Sequence, residues 1–197
     1  MPSEPLPSAR CFALVPCAGV GLRAGAGGPK QYAPLAGQAV VAHTLQALAA
    51  VPALTATLVV LSPDDTAFEA HAPRFAGWVT RTGGATRAQS VAAGLVALRE
   101  HGAVDGDWVL VHDAARCLLR PEWVARLIDA CVDDAVGGLL ALPLADTLKG
   151  ADAGAYERVA HTLDRSHKWL AQTPQMFRLG LRQGALQQTQ AEHLRRL

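Results

Sequence analysis

The sequence predicts an α/β fold in which a mainly parallel, twisted sheet is covered by helices on both faces. Short, continuously apolar segments alternate with longer segments of helical periodicity. Continuous apolar strands are typical of parallel sheets that are buried on both sides. The chain has 197 residues, of which 50% are hydrophobic and 18% charged, enough for one domain with a substantial core. We therefore expect a single domain over residues 1–197.

In the first half of the chain, two strong strands and one weak strand alternate with helices. The strands are predicted at Phe12–Pro16, Thr57–Leu61 and, weakly, Trp78–Thr82. Residues 40–51 have helical periodicity. A second helix is expected to begin at Ser62-Pro63-Asp64, because serine is a good N-cap and proline is favoured in the first turn.

In the second half, helices and strands continue to alternate up to residue 143. A helix is expected at Arg87–His101, because apolar side chains recur on one face. Trp108–His112 is a buried apolar strand, Pro121–Asp133 a helix and Gly138–Pro143 a strand. Residues 178–197 also have a helical pattern.

The loops that follow three of these strands are expected to form one ligand site. In open α/β sheets, ligands bind in the crevice at the carboxyl ends of the strands. The loops after Val15, Thr82 and Val111 leave from such ends. The sequence therefore predicts that these three loops converge.

Charge and composition exclude several classes of protein. With 18 basic and 17 acidic residues, the net charge is +1, unlike the strongly basic surface of a duplex nucleic-acid binder. The first ten residues hold no apolar run, which argues against a signal peptide, and no segment approaches the roughly 20 apolar residues of a membrane span. The cysteines at 11, 17, 117 and 131 show neither CxxC nor zinc-site spacing, which favours a reducing, cytoplasmic location.

The first of these loops, Pro16–Lys30, carries glycines and two cations after a buried strand. Glycines allow close backbone approach to an anion, and successive N–H groups can form a phosphate cradle. Arg23 and Lys30 place two positive charges at its rim. The spacing fits neither GxGxxG nor the Walker A loop, since Lys30 is followed by Gln31. The alternative is a flexible loop with two solvated charges.

The other two loops combine glycine, acidic and basic residues. Gly83 and Gly84 precede a helix that includes Ser90, an arrangement that favours anions or polar base edges. Taken alone, this pattern is better explained by a plain helix start capped by Thr86. After the strand ending at His112, Asp113 could meet a hydrated metal or a hydroxyl, and Arg116 a phosphate. The alternative is a turn in which the two side chains pair.

A polar segment at 144–168 interrupts the alternation and is too long for a simple turn. It is either a disordered flap or an arm that packs on a partner, and solvated charges are the default interpretation of its ionic residues. Cys17 and Cys117 are interpreted as packing residues rather than nucleophiles, because neither has a histidine close by in sequence.

Five segments together resemble the 2-C-methyl-D-erythritol 4-phosphate cytidylyltransferase family. They are ALVPCAGVGLRAGAGGPKQY, GGATRAQSVAAGL, VLVHDAAR, LPLADTLK and AHTLDRSHKWLAQTPQMF, and they occur in the family's order over about residues 12–178. The resemblance implies a Rossmann-like nucleotidyltransferase fold with a protruding dimerisation arm. It also implies cytidylyl transfer from CTP to methylerythritol 4-phosphate in non-mevalonate isoprenoid synthesis. A homodimer and Mg²⁺, held mainly by the triphosphate, are part of that expectation.

The resemblance also assigns roles to individual residues. The catalytic cations would be Arg23 and Lys30. Nucleotide binding is assigned to Pro16, Cys17, Ala18, Gly19, Gly21, Gly83, Gly84 and Ser90. Substrate binding is assigned to Asp113, Arg116, Thr147 and Arg165, with Asp113 also near the metal.

The chain departs from the family pattern at several places. Cys17 stands where alanine is common, Ala85 where an acidic residue is common, and Cys117 where proline is common. The family's later strand and its lysine in a KVT-like segment have no counterpart before Leu197, so the resemblance implies a missing C-terminal portion. Two alternatives stay open: a cytidylyltransferase for another alditol phosphate such as ribitol 5-phosphate, and an inactive nucleotide-binding protein.

Overall fold

A six-stranded mixed sheet forms the centre of the fold. The computed structural model describes residues 9–19, 28–152, 154 and 158–181. Its strands are β1 Cys11–Pro16, β2 Pro34–Leu35, β3 Gln38–Ala39, β4 Leu54–Val60, β5 Trp78–Thr80, β6 Trp108–Val111, β7 Gly137–Pro143, β8 Leu148–Ala151, β9 Val159–Leu163 and β10 Trp169–Arg178. The helices are α1 Val40–Ala49, α2 Phe68–His71, α3 Arg87–Glu100 and α4 Pro121–Cys131.

The order of strands in the sheet is β5-β4-β1-β6-β10-β7. The pairings of β1 with β4, β1 with β6, and β4 with β5 are parallel, whereas β10 runs antiparallel to both β6 and β7. The mainly parallel sheet is therefore confirmed. The long strand β10 was not among the expected elements, and it contributes the antiparallel part of the sheet.

Helices cover both faces because the side chains of the central strand alternate. Phe12 and Leu14 of β1 belong to the core beneath α3, whereas Ala13 and Val15 belong to the core shared by α1 and α4. All four side chains are fully buried. Strands buried on both sides require the continuous apolar runs seen in the sequence.

The helix starts follow local side-chain chemistry. Thr86 and Gln89 form a reciprocal capping box at the start of α3, with Thr86 Oγ1 accepting from Gln89 N at 3.2 Å. The expectation of a helix from Ser62 is wrong. Asp65 Oδ1 instead accepts from the amides of Ala67 and Phe68, so α2 begins only at Phe68.

The order in which strands are added to the sheet reverses between β1 and β6. From β1 it proceeds outward to β4 and β5 and then returns to β6 on the other side of β1. Such a switch point opens a crevice at the carboxyl ends of the two central strands. The loops after Pro16 and Val111 leave the sheet at these two strand ends.

The polar segment at 144–168 contains a two-stranded antiparallel hairpin, β8 and β9. Its base continues the β7–β10 ladder, where Leu144 N donates to Lys168 O at 3.0 Å. The expected helix at 178–197 falls mostly on residues 182–197, which lie outside the described part of the chain. Among the described residues, no helix is long and apolar enough to cross a bilayer.

Candidate active site

The loop after β1 begins with a fixed backbone. Cys17 N donates to Val60 O at 2.8 Å, which extends the β1–β4 pairing by one residue. The buried Gln31 amide donates from Nε2 to Cys17 O at 3.1 Å and to Gly19 O at 2.9 Å. Three of the residues assigned to nucleotide binding, Cys17, Ala18 and Gly19, are thus held at the switch point by Gln31, to which sequence reasoning gave no role.

The thiol of Cys17 faces the core rather than the crevice. Only 2% of the residue is exposed, and burial raises the pKa of the thiol to about 12. A thiol with such a pKa stays protonated near neutral pH and is a poor nucleophile. Packing is therefore the role of this side chain, as the sequence indicated.

Lys30 opens a short 3-10 turn, Lys30–Tyr32, that is anchored on both sides. Gln31 reaches the first loop, and Tyr32 Oη donates to Asp65 Oδ2 at 2.5 Å while its ring stacks on His71. Burial and the hydrogen bond to Asp65 raise the pKa of Tyr32 far above its ordinary value, so this phenol remains a donor. The Lys30 side chain is exposed, with no hydrogen bond or ion pair to any described residue, and is available to an anion.

Gly83 brings the second loop into contact with the first. Gly83 N donates to Leu61 O at 2.8 Å. A methyl group at position 83 would lie 2.3 Å from the Ala18 Cβ and 2.6 Å from Leu61 O. Since real side chains do not approach so closely, glycine is required here, and the two loops converge as expected.

The hydroxyl of Ser90 stabilises the second loop from within. Ser90 is buried, and its Oγ accepts from Gly84 N at 3.2 Å and donates toward Gly84 O and Thr86 O. In this conformation the hydroxyl is committed to the loop. Its contribution to a nucleotide site would be to shape the turn at Gly84.

Asp113 is shared by two arginines at the mouth of the crevice. Arg87 Nε lies 2.6 Å from Asp113 Oδ1, and Arg116 Nε lies 3.0 Å from Oδ2. Arg116 Nη1 also donates to Gln172 Oε1 at 2.5 Å. The interaction between Asp113 and Arg116 matches the simpler alternative raised from sequence. Arg87, which no motif singled out, joins the second loop to the third.

A buried histidine supports the third loop from below. His112 Nε2 donates to Arg116 O at 3.0 Å, because a carbonyl can only accept. Its Nδ1 then accepts a hydrogen bond from Thr173 Oγ1 at 3.0 Å, and Thr173 Oγ1 accepts one from Asp113 N at 3.5 Å. Burial lowers the pKa of His112, which keeps the imidazole neutral and suited to these two bonds.

Not every predicted residue is placed in this crevice. Arg23 and Gly21 lie outside the described residues. Thr147 and Arg165 are exposed at the arm, and neither side chain forms a hydrogen bond or ion pair with the described part of the chain. The structure links residues 16–19 to Gly83 directly, and to the turn that begins at Lys30 through the Gln31 amide. Arg87, at the start of α3, links the second loop to Asp113 and thereby to Arg116.

The donor set does not favour a metal held by protein alone. Within the described residues, no group of three His, Cys, Asp or Glu side chains is arranged to hold a metal. Both Asp113 oxygens accept from guanidinium groups. A divalent cation here would fit a site whose ligands come mainly from phosphate oxygens, the preferred environment of Mg²⁺ with nucleotides.

Comparison with known proteins identifies the family. Residues 11–195 match the profile of IspD, 2-C-methyl-D-erythritol 4-phosphate cytidylyltransferase. The chain belongs to this family. Its nucleotidyltransferase architecture and its membership of a cytidylyltransferase family confirm the function class expected from the sequence.

Two curated relatives show how far the IspD similarity extends. The bifunctional enzyme IspD/IspF of Albidiferax ferrireducens is 60% identical over 179 residues, which cover 90% of this chain and 42% of that enzyme. The 2-C-methyl-D-erythritol 4-phosphate cytidylyltransferase of Burkholderia multivorans is 53% identical over 186 residues, covering 93% of this chain and 78% of the relative. The chain thus spans less than half of the bifunctional relative.

Solved IspD-family structures share the fold. A crystal structure of 4-diphosphocytidyl-2C-methyl-D-erythritol synthase matches with a TM-score of 0.79 at 40% identity, over 90% of this chain and 79% of that one. The Francisella tularensis 2-C-methyl-D-erythritol 4-phosphate cytidylyltransferase matches with a TM-score of 0.75 at 29% identity, over 94% and 80%. These matches confirm the expected mainly parallel sheet with flanking helices.

Proposed function

We propose that this chain transfers the cytidylyl group of CTP to 2-C-methyl-D-erythritol 4-phosphate in the cytoplasm, as a step of isoprenoid precursor synthesis. The observation that carries the proposal is the meeting of three loops at the switch point of an IspD-family sheet. The described parts of these loops include Lys30, the backbone amides of Ala18 and Gly19, and Arg116, and we propose that they face one crevice. The four cysteines are all free thiols, in keeping with a reducing compartment.

In the proposed reaction a phosphate oxygen of the acceptor attacks the α-phosphorus of CTP. The bond from that phosphorus to the oxygen bridging the β-phosphate breaks, and pyrophosphate leaves with the bond's electron pair. Nucleotidyl transfer of this kind depends on positioning and charge neutralisation. Arg23 and Lys30 would stabilise charge at the α-phosphorus, and Cys17–Gly21 would follow the phosphates. Bound Mg²⁺ would neutralise triphosphate charge.

The nucleoside and acceptor sides of the crevice have separate residues. Gly83, Gly84 and Ser90 would shape the cytosine and ribose side. Asp113 and Arg116 would meet the acceptor phosphate and the metal. Each carboxylate oxygen of Asp113 is bound by one guanidinium group, Oδ2 by that of Arg116, and each keeps a lone pair that a cation could use. We therefore assign Asp113 primarily to orienting Arg116.

The arm is proposed to form a homodimer and to bring Thr147 and Arg165 to the partner's crevice. Among the described strands β7 lies at the edge of the sheet, and apolar side chains on it and on the paired part of β10 are exposed: Leu142 by 57%, Trp169 by 62% and Leu170 by 47%. Exposed apolar patches at sheet edges mark association surfaces. Leu142→Glu should shift sedimentation toward monomer, whereas Val104→Glu, exposed by 58% on the α3–β6 loop, should not.

Pyrophosphate release tests the proposed reaction. The chain is incubated with CTP and Mg²⁺ and either methylerythritol 4-phosphate or ribitol 5-phosphate. Rapid release with the first acceptor and slow release with the second is the expected result. A preference for ribitol 5-phosphate would overturn the acceptor. Calorimetric binding of CTP without release from either acceptor would identify an inactive nucleotide-binding protein.

A further inference from the structure

We propose that Gln31 is a positioning residue for the CTP triphosphate, acting through the backbone of the first loop. This inference rests on the proposed function and extends it to a residue that never needs to contact the nucleotide. Gln31 is 5% exposed, follows Lys30 in sequence and contacts the start of the first loop at Cys17 and Gly19. Its role follows from what its amide group fixes.

The side-chain amide of Gln31 orients one peptide plane directly. Gln31 Nε2 donates at 3.1 Å to Cys17 O, the carbonyl of the Cys17–Ala18 peptide. In a trans peptide the carbonyl and the following N–H point in opposite directions. Holding Cys17 O toward Gln31 therefore turns the Ala18 N–H away from Gln31.

Two loop amides have no acceptor among the described residues. Neither Ala18 N nor Gly19 N donates to any described residue, although Cys17 N is bound to Val60 O. Ala18 is half-buried and Gly19 exposed, at the carboxyl end of β1. Free N–H groups in such a position form an anion cradle. The second bond, from Gln31 Nε2 to Gly19 O at 2.9 Å, fixes the next carbonyl as well.

The same residue ties the cradle to the lysine. Gln31 belongs to the Lys30–Tyr32 turn, whose other end is fixed by the hydrogen bond from Tyr32 to Asp65. Asp65 is in turn held by the amides of Ala67 and Phe68. Gln31 thus sets the distance between Lys30 and the loop amides, which is the quantity that matters for a preorganised phosphate site.

Gln31→Met tests the proposal, because methionine has similar length but no donor and no charge. Gln46→Met on the exposed face of α1 is the matched control. We expect Gln31→Met to weaken CTP binding by about tenfold or more in calorimetric titration, as for loss of hydrogen bonds to a charged group. We expect kcat to fall about 10²-fold. Cytidine lacks phosphates, so the variant and the unmodified chain should bind it with equal affinity.

CTP affinity and kcat close to those of the unmodified chain would overturn the proposal, as would a parallel loss of cytidine affinity, the sign of a merely structural role. If Gln31→Met does not fold, the unmodified chain provides the test. In the unmodified chain, the Ala18 amide resonance should shift on saturation with CTP, and an unmoved resonance would refute the role without any variant.

The two proposals fail in different ways. CTP binding without pyrophosphate release would overturn the proposed reaction alone, whereas absence of CTP binding would overturn both.

Discussion

Thr173 on β10 and His112 at the end of β6 are joined by a hydrogen bond of 3.0 Å between Thr173 Oγ1 and His112 Nδ1, across 61 residues of sequence. Both residues are buried. The same imidazole donates to Arg116 O, so the strand that returns from the arm supports the loop carrying Arg116. Gln172, next to Thr173, contacts the Arg116 guanidinium directly.

Thr173→Val removes the hydroxyl but keeps the volume. Because His112 Nδ1 then has no donor, the free energy of unfolding should fall by about 1–3 kcal/mol. Urea unfolding measures this change. Thr173→Ser retains the hydroxyl and should stay close to the unmodified chain, and an equal loss in both variants would show that the methyl group, not the hydrogen bond, matters.

The folded state should become less stable at acidic pH because of His112. Burial holds its pKa in the folded chain below the ordinary value of 6.5, so the unfolded chain binds the proton more readily. Stability is therefore full above about 6.5 and declines as the pH falls below that value. Urea midpoints between pH 5 and 8 in matched buffers would show it. His112→Gln should flatten this decline, and an unchanged slope would assign it to other groups.

Gly83→Ala should disturb the junction between the first two loops. Its methyl group would overlap the Ala18 Cβ and Leu61 O, and overpacking of this kind costs about 1–3 kcal/mol. CTP affinity should fall as well, because Ala18 must move. Gly106→Ala is the control, since its methyl group would meet nothing within 4 Å. Thermal unfolding with equal shifts for both variants would refute the steric argument.

Lys30→Ala should lower turnover by a factor on the order of 10² or more, as for removal of a preorganised transition-state donor. The folded state should be little affected, because the Lys30 side chain is exposed. Pyrophosphate release with CTP and Mg²⁺ measures turnover, and Lys30→Arg should recover part of it. Near-normal pyrophosphate release by the alanine variant would contradict the proposed catalytic role of Lys30.

The sequence predicted those parts of the fold that depend on local pattern. The apolar runs of β1, β4 and β6 and the capped start of α3 are examples. Strand β10 was missed because its segment mixes polar and apolar residues, and its partners β6 and β7 are distant in sequence. The start of α2 was misplaced because Asp65, rather than Ser62, caps that turn.

For the site, sequence motifs located the loops but not their internal contacts. The KQY and HDAAR motifs pointed to Lys30, Asp113 and Arg116. They gave no role to Gln31 or Arg87, because the roles of these two side chains depend on contacts with residues distant in sequence. Gln172 and Thr173 lie in one of the five segments that resemble the family, but their contacts with the third loop depend on the pairing of β10 with β6.

The protonated, enclosed thiol of Cys17 has a consequence for inhibitor chemistry. An electrophilic compound directed at the first loop would not react with Cys17, although this cysteine is the second residue of that loop. Cys117, which is partly exposed beside Arg116, is the cysteine that such a reagent could reach. Covalent probes should therefore be directed at Cys117 rather than at Cys17.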